Sequence, residues 1–107
     1  MNIIWTEPAS LDLDGIWNYH LIRSLSAAVE TNDVILVAVS RLANFPNLGR
    51  PGRQKGTREL VISGTPYIVI YKVASPDLAI LRVLHGAQKW PPGRRRKPSS
   101  EGPSGRP

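Results

Sequence analysis

Three strand-like segments separated by two tight turn signals constrain this chain more than any other feature. Arg58–Ser63, Tyr67–Val73 and Leu78–His85 are short and rich in β-branched and aromatic residues. Gly64-Thr65-Pro66 separates the first from the second, and Ser75-Pro76-Asp77 the second from the third. Parallel strands need a crossover of a dozen or more residues, so connections this short join only antiparallel neighbours. The second half of the chain therefore reads as a meander, and a small sheet is stable only when something apolar covers it.

The first half supplies that cover. Asn2–Trp5 is short and apolar and reads as another strand. Thr6-Glu7-Pro8 then signals a helix start, with a hydroxyl cap, an acid in the first turn, and a proline where its missing N–H costs little. Leu13, Ile16, Trp17, His20 and Leu21 recur at helical spacing and predict one apolar face. Ser24 to Ser26 breaks the pattern, with Ser26 as the expected cap of a second helix running to about Asn44. Ala28, Ile35, Val39 and Leu42 mark its buried stripe. The six apolar residues Val34 to Val39 equally suit a buried strand. Helix is the reading adopted, because no turn signal intervenes before Pro46 and the stretch exceeds the usual strand length. The expected fold is α+β: two N-terminal helices in a hairpin packed on a small antiparallel sheet. The order is strand, two helices and three strands, with the first strand joining the same sheet.

At 107 residues the chain has room for one domain and one modest core, so a shallow surface site is expected rather than a deep pocket. There is no cysteine, which removes disulfides and thiolate zinc sites, and two histidines make no convincing metal set. No metal and no cofactor are expected. A nucleotide-binding G-x-x-x-x-G-K-[ST] loop is absent. No apolar run approaches the roughly 18 residues of a membrane span, and the N-terminus lacks the features of a signal peptide. A soluble cytoplasmic protein without a membrane partner is expected.

The net charge of +6 is unevenly spread. Residues 1–48 carry Arg23 and Arg41 against Glu7, Asp12, Asp14, Glu30 and Asp33. Residues 49–90 carry seven cations against Glu59 and Asp77. Beyond Pro91 the composition turns to Pro, Gly, Ser and Arg, with Arg94-Arg95-Arg96-Lys97 as its densest charge. A domain over residues 1–91 followed by a disordered basic tail over 92–107 is expected. That tail suits either nucleic-acid contact or an incidental polar extension. The asymmetry of the folded part points to a nucleic acid or an acidic protein as partner.

Within that basic half, Arg50, Arg53, Lys55 and Arg58 fall in a glycine- and proline-punctuated loop. It suits phosphate contact or docking of an acidic partner, or it is a solvated turn. Arg82 interrupts an apolar strand, on the face of Ile80 and Leu84 by strand alternation, and needs an exposed face or a partner there. His85 has the pKa range of a general acid or base. Positions three apart point to opposite faces of a regular strand, so Arg82 and His85 share a site only if the strand ends or bulges. His20 reads as core or boundary, and Trp17 and Trp90 as core and cap.

Leu48-Gly49-Arg50-Pro51-Gly52-Arg53, Gly56-Thr57-Arg58-Glu59-Leu60, Thr65-Pro66-Tyr67-Ile68-Val69-Ile70-Tyr71 and Ile80-Leu81-Arg82-Val83-Leu84-His85-Gly86 resemble the RelE/ParE superfamily of bacterial toxin–antitoxin toxins, also called plasmid-stabilisation proteins. Ala9, Asp12-Leu13, Ile16-Trp17 and Tyr19 look like that family's first helix, and the likeness spans about Ile3 to Pro91. The resemblance implies a growth-arresting toxin neutralised by a cognate acidic antitoxin, with operator DNA reached only through the antitoxin. It also implies one of two targets. RelE-like members cleave mRNA on the ribosome without a metal, and ParE-like members poison DNA gyrase without chemistry. For cleavage, His85 would act as base or acid, Lys55, Arg58 and Arg82 would supply charge, and Glu59 is a second base candidate. On that reading mRNA cleavage is narrowly favoured, although the chain has Trp90 and no Tyr after its last strand. A degenerate toxin that only binds its antitoxin is a third possibility.

Overall fold

The computed structural model describes residues 1–86 and Trp90. Its elements are β1 (Asn2–Trp5), α1 (Glu7–Leu21), α2 (Leu25–Arg41), β2 (Arg50–Pro51), β3 (Arg58–Val61), β4 (Tyr67–Ala74) and β5 (Asp77–His85). The expected tail over 92–107 lies outside the described residues.

Both helices start where a side chain can replace a missing backbone partner. The Thr6 hydroxyl accepts from the amide of Ala9, and the Ser24 hydroxyl accepts from that of Ala27. Ser24, and not Ser26, is therefore the second cap. It sits three residues before the amide it serves, the spacing an N-cap requires. Helix α2 ends at Arg41, short of Asn44, in a succession of tight turns. The Val34–Val39 run is helical, as expected, and α2 buries one stripe of Ala28, Ile35 and Val39, with Leu42 just beyond.

The sheet has the order β1-β5-β4-β3-β2. Strands β3, β4 and β5 form the expected antiparallel meander. β1 pairs with β5 in parallel, from Asn2 opposite Asp77 to Trp5 opposite Ile80. β2 is an addition that sequence patterning missed, two residues paired with Glu59 and Arg58 of β3. β3 ends at Val61, because Ile62, Ser63 and Gly64 belong to the turn into β4.

The core lies between the helical hairpin and one face of the sheet. Ala9, Ile35, Val39 and Leu42 meet Ile62, Tyr67, Val69, Tyr71, Leu78, Ile80 and Val83 there, with Leu13 and Ile16 packed against them. Leu21, expected on the inner face of α1, is its last residue and is 42% exposed. The other face of the sheet carries Ile68, Ile70 and Leu84, of which Ile70 and Leu84 are buried, and no helix among the described residues packs on it.

A bulge in β5 decides the site's geometry. Tyr71 pairs with Ile80 and Ile70 pairs with Arg82, leaving Leu81 without an opposite residue. The sequence reading placed Arg82 on the face of Ile80. The extra residue reverses the alternation, so Ile80 stays in the core while Arg82 stands opposite Ile70.

Candidate functional site

The N-cap of α1 is also its anchor to the bulge. Thr6 donates its hydroxyl hydrogen to the carbonyl of Ile80 at 2.7 Å, and its amide donates to the same oxygen at 3.2 Å. From that fixed start, Asp12 lies beside the part of β5 that β1 no longer covers. Its carboxylate accepts two bonds from Arg82, at 2.7 and 2.9 Å, and one from the amide of Val83 at 2.9 Å. Asp12 thus satisfies an open strand edge and holds the Arg82 guanidinium as a forked pair. Hydrogen bonding to Asp12, ahead of its Coulombic attraction, raises the pKa of Arg82 against the opposing effect of burial.

His85 is the last residue of β5, and the strand runs through it without a break after the bulge. The bulge lies before both residues, so nothing between them realigns their directions. His85 lies opposite Tyr67, with ring centroids 6.1 Å apart edge to face. Tyr67 in turn meets His20, whose Nε2 is 2.9 Å from the phenolic oxygen. Burial, and then the nearby Tyr19, raise the pKa of Tyr67. Both histidines of the chain therefore gather around one tyrosine, and Tyr67 and His85 line a groove of about 400 Å³ with Leu11, Asp12, Gly15, Ile16, Tyr19 and Val83. Sequence separation hid this cluster, because only the register of β4 against β5 and the placement of α1 assemble it.

The basic loop is more ordered, and less available, than its composition suggests. Arg50 pairs with Glu59 at 3.1 Å, and the other Glu59 oxygen accepts from the amide of Arg53. Arg58 donates to the carbonyl of Gly49 at 2.6 Å. The amide of Gly49 donates to the Tyr71 hydroxyl at 2.8 Å, and that hydroxyl donates to the carbonyl of Pro46 at 2.8 Å. A side chain at position 49 would meet Tyr71 at 2.8 Å and the Glu59 carbonyl at 2.9 Å, so only glycine fits. Gly56, at φ +83°, makes the turn that returns the loop to β3. Among the described residues the salt bridges are Arg50–Glu59 and Arg82–Asp12. Arg53 and Lys55 therefore keep exposed cations without a carboxylate partner there.

On the sheet face away from the helices, Arg50, Arg53, Glu59, Ile68, Ile70, Leu84, His85, Gly86 and Trp90 line a hollow of about 90 Å³. It brings His85 near two of the predicted loop cations. Arg58 and Arg82 do not line it, since each is held elsewhere, and neither does Lys55. A second apolar groove, of about 390 Å³, runs between α2 and β3 past Val34, Val37, Ala38, Leu48, Leu60 and Val61. Among the described residues, no three or more His, Cys, Asp or Glu side chains stand together as metal ligands, and no helix is long and apolar enough to cross a membrane.

These features can be set beside known proteins. The model of a family described as the ParE toxin of the parDE type II toxin–antitoxin system matches residues 3–90. This chain belongs to the ParE toxin family. A Sinorhizobium fredii (strain NBRC 101917 / NGR234) protein called "Putative toxin Y4kP" is 45% identical over 89 residues, which cover 83% of this chain and 92% of that one. A chain of the solved structure described as the chromosomal ParDE TA system from P. aeruginosa superposes with a TM-score of 0.71 at 27% identity, covering 78% of this chain and 92% of the other. The chain is therefore a ParE toxin of a type II toxin–antitoxin system, and membership implies an antitoxin partner.

Proposed function

We propose that this ParE protein arrests growth as a non-enzymatic inhibitor of DNA gyrase, in the cytoplasm, until a cognate acidic antitoxin covers it. The observation that supports this over mRNA cleavage is how the candidate catalytic groups are engaged. Metal-free RNA cleavage needs a base, cations on the phosphorane and a proton donor converging on one atom. Here Arg82 is forked onto Asp12, Arg58 serves the carbonyl of Gly49, and Glu59 is shared between Arg50 and the amide of Arg53. An inhibitor needs only a complementary surface, which these fixed groups can shape. The apolar groove along α2 and β3 gives a wrapping antitoxin apolar area to bury, and the cations of Arg53 and Lys55 suit its acidic side chains.

A purified gyrase supercoiling assay run beside primer-extension mapping of transcripts tests the proposal. Blocked supercoiling with intact transcripts is expected, for the natural protein and for His85→Ala alike. Codon-phased cuts that disappear in His85→Ala, with supercoiling unaffected, would establish mRNA cleavage instead.

A further inference from the structure

We infer that helix α2 of this ParE protein docks against α2 of a second copy of the same chain, antiparallel and centred on Val37, so that free toxin pairs through the groove between α2 and β3. Two independent observations carry it. The first is apolar surface left in water. Val34, Val37, Leu48 and Val61 line that groove and are 42, 61, 43 and 51% exposed. Exposed apolar side chains gathered in one place, rather than scattered singly, mark an interaction surface. Ala38 is in the same lining, and its side chain is too short to hold a second helix away.

The second observation is where the groove's charges stand. The charged side chains in its lining are Asp33 and Arg41. Both are exposed, and the salt bridges among the described residues, Arg50–Glu59 and Arg82–Asp12, engage neither. Asp33 precedes Val37 by four residues and Arg41 follows it by four. Residues four apart share one strip of a helix, and at 1.5 Å per residue each charge lies about 6 Å from Val37. A two-fold axis through Val37 reverses the partner's helix. It sets Asp33 of each copy opposite Arg41 of the other, giving two ion pairs from one symmetric contact, and lays Val37 against Val37. A parallel arrangement would set like charge against like. An acidic peptide would attract Arg41 and repel Asp33, and a basic one the reverse, whereas this face is complementary to itself. The antitoxin proposed above buries the same groove, so the pairing belongs to free toxin and competes with antitoxin binding.

Sedimentation equilibrium of the purified full chain over a wide range of concentration tests the inference by charge reversal. A concentration-dependent dimer is expected, weakening as salt rises because its ion pairs are exposed. Asp33→Arg and Arg41→Asp are each expected to weaken self-association about tenfold, since each sets like charges opposite one another at both ends of the contact. Mixed in equal amounts, the two variants restore opposite charges at both ends, and their heterodimer is expected to regain the natural affinity. The double variant Asp33→Arg with Arg41→Asp is expected to regain it as well. Val37→Glu sets two carboxylates face to face at the centre and is expected to give the loss by a separate route. Unchanged melting temperatures check the fold. A natural chain that stays monomeric at every concentration would overturn the inference and leave the groove to the antitoxin alone. So would single reversals that dimerise as the natural chain does, or a mixture of the two that stays monomeric, since either places the contact elsewhere. The readout is the mass of the toxin by itself, so its failure leaves gyrase inhibition untouched.

Discussion

At the scale of single residues, Asp12 does more than its place in the first helix suggests. Three donors converge on its carboxylate, two from Arg82 and one from the amide of Val83. Asp12→Asn keeps the shape but removes the charge and turns one acceptor into a donor facing Arg82. A loss of about 1–3 kcal/mol in urea unfolding is expected, the range for charge-assisted bonds of partly buried groups. A shallower loss would show that water readily replaces the pair. Tyr71 gives the pH dependence. Burial raises its pKa from the ordinary 10.0, more than the Gly49 hydrogen bond and the Arg58 charge lower it, and burial likewise raises Tyr67. The unfolded chain therefore ionises first as pH rises. The stability tied to these neutral phenols is intact below pH 10.0 and falls above it. Tyr71→Phe is expected to lower stability at pH 7 by about 1–3 kcal/mol, because the Gly49 amide and Pro46 carbonyl lose their partner. It should also flatten the alkaline decline seen by circular dichroism.

At the scale of elements, the basic loop and β5 show how far composition misleads. The loop reads as four available cations, but two are engaged with Glu59 and the Gly49 carbonyl. Its conformation depends on a backbone approach that only glycine allows. Gly49→Ala is expected to cost about 1–3 kcal/mol as the added carbon pushes Tyr71 and β3 apart, measured as a lowered unfolding midpoint. The meander was legible because proline- and glycine-bearing turns bracket β-branched runs. The bulge at Leu81 was not, since no proline or glycine marks it. It is held by Thr6 and Asp12, more than 60 residues away in sequence. Helix α2 was legible despite its valine-rich run, because no turn signal intervenes before Pro46 and the stretch exceeds the usual strand length.

For the whole molecule, the cations are densest in the loop Arg50–Arg58. The larger grooves flank α1 and α2 and are mainly apolar, with Asp33 and Arg41 at the edge of the second, while Arg50 and Arg53 line the small hollow on the opposite sheet face. Reversing Arg53 and Lys55 to Glu is expected to weaken the antitoxin complex about tenfold with an unchanged melting temperature, measured by calorimetric titration. Arg58→Glu should lower the melting temperature itself, since it removes the bond to Gly49. If instead Arg53 and Lys55 reversal left affinity untouched, the loop would not be the antitoxin's acidic docking point.

The sequence by itself determined the fold class, the strands of the meander, the helical hairpin and the family, because these depend on local periodicity, turn chemistry and the spacing of short motifs. Tertiary structure alone decided the parallel pairing of β1, the two-residue β2 and the fate of each candidate cation. Charges close in sequence were separated by the acceptors that reached them. Arg82 went to Asp12 and Arg58 to a backbone carbonyl, whereas Arg53 and Lys55 stayed in solvent. A buried or half-buried cation takes the nearest acceptor that offsets its lost hydration, and only the packed chain fixes where that acceptor lies.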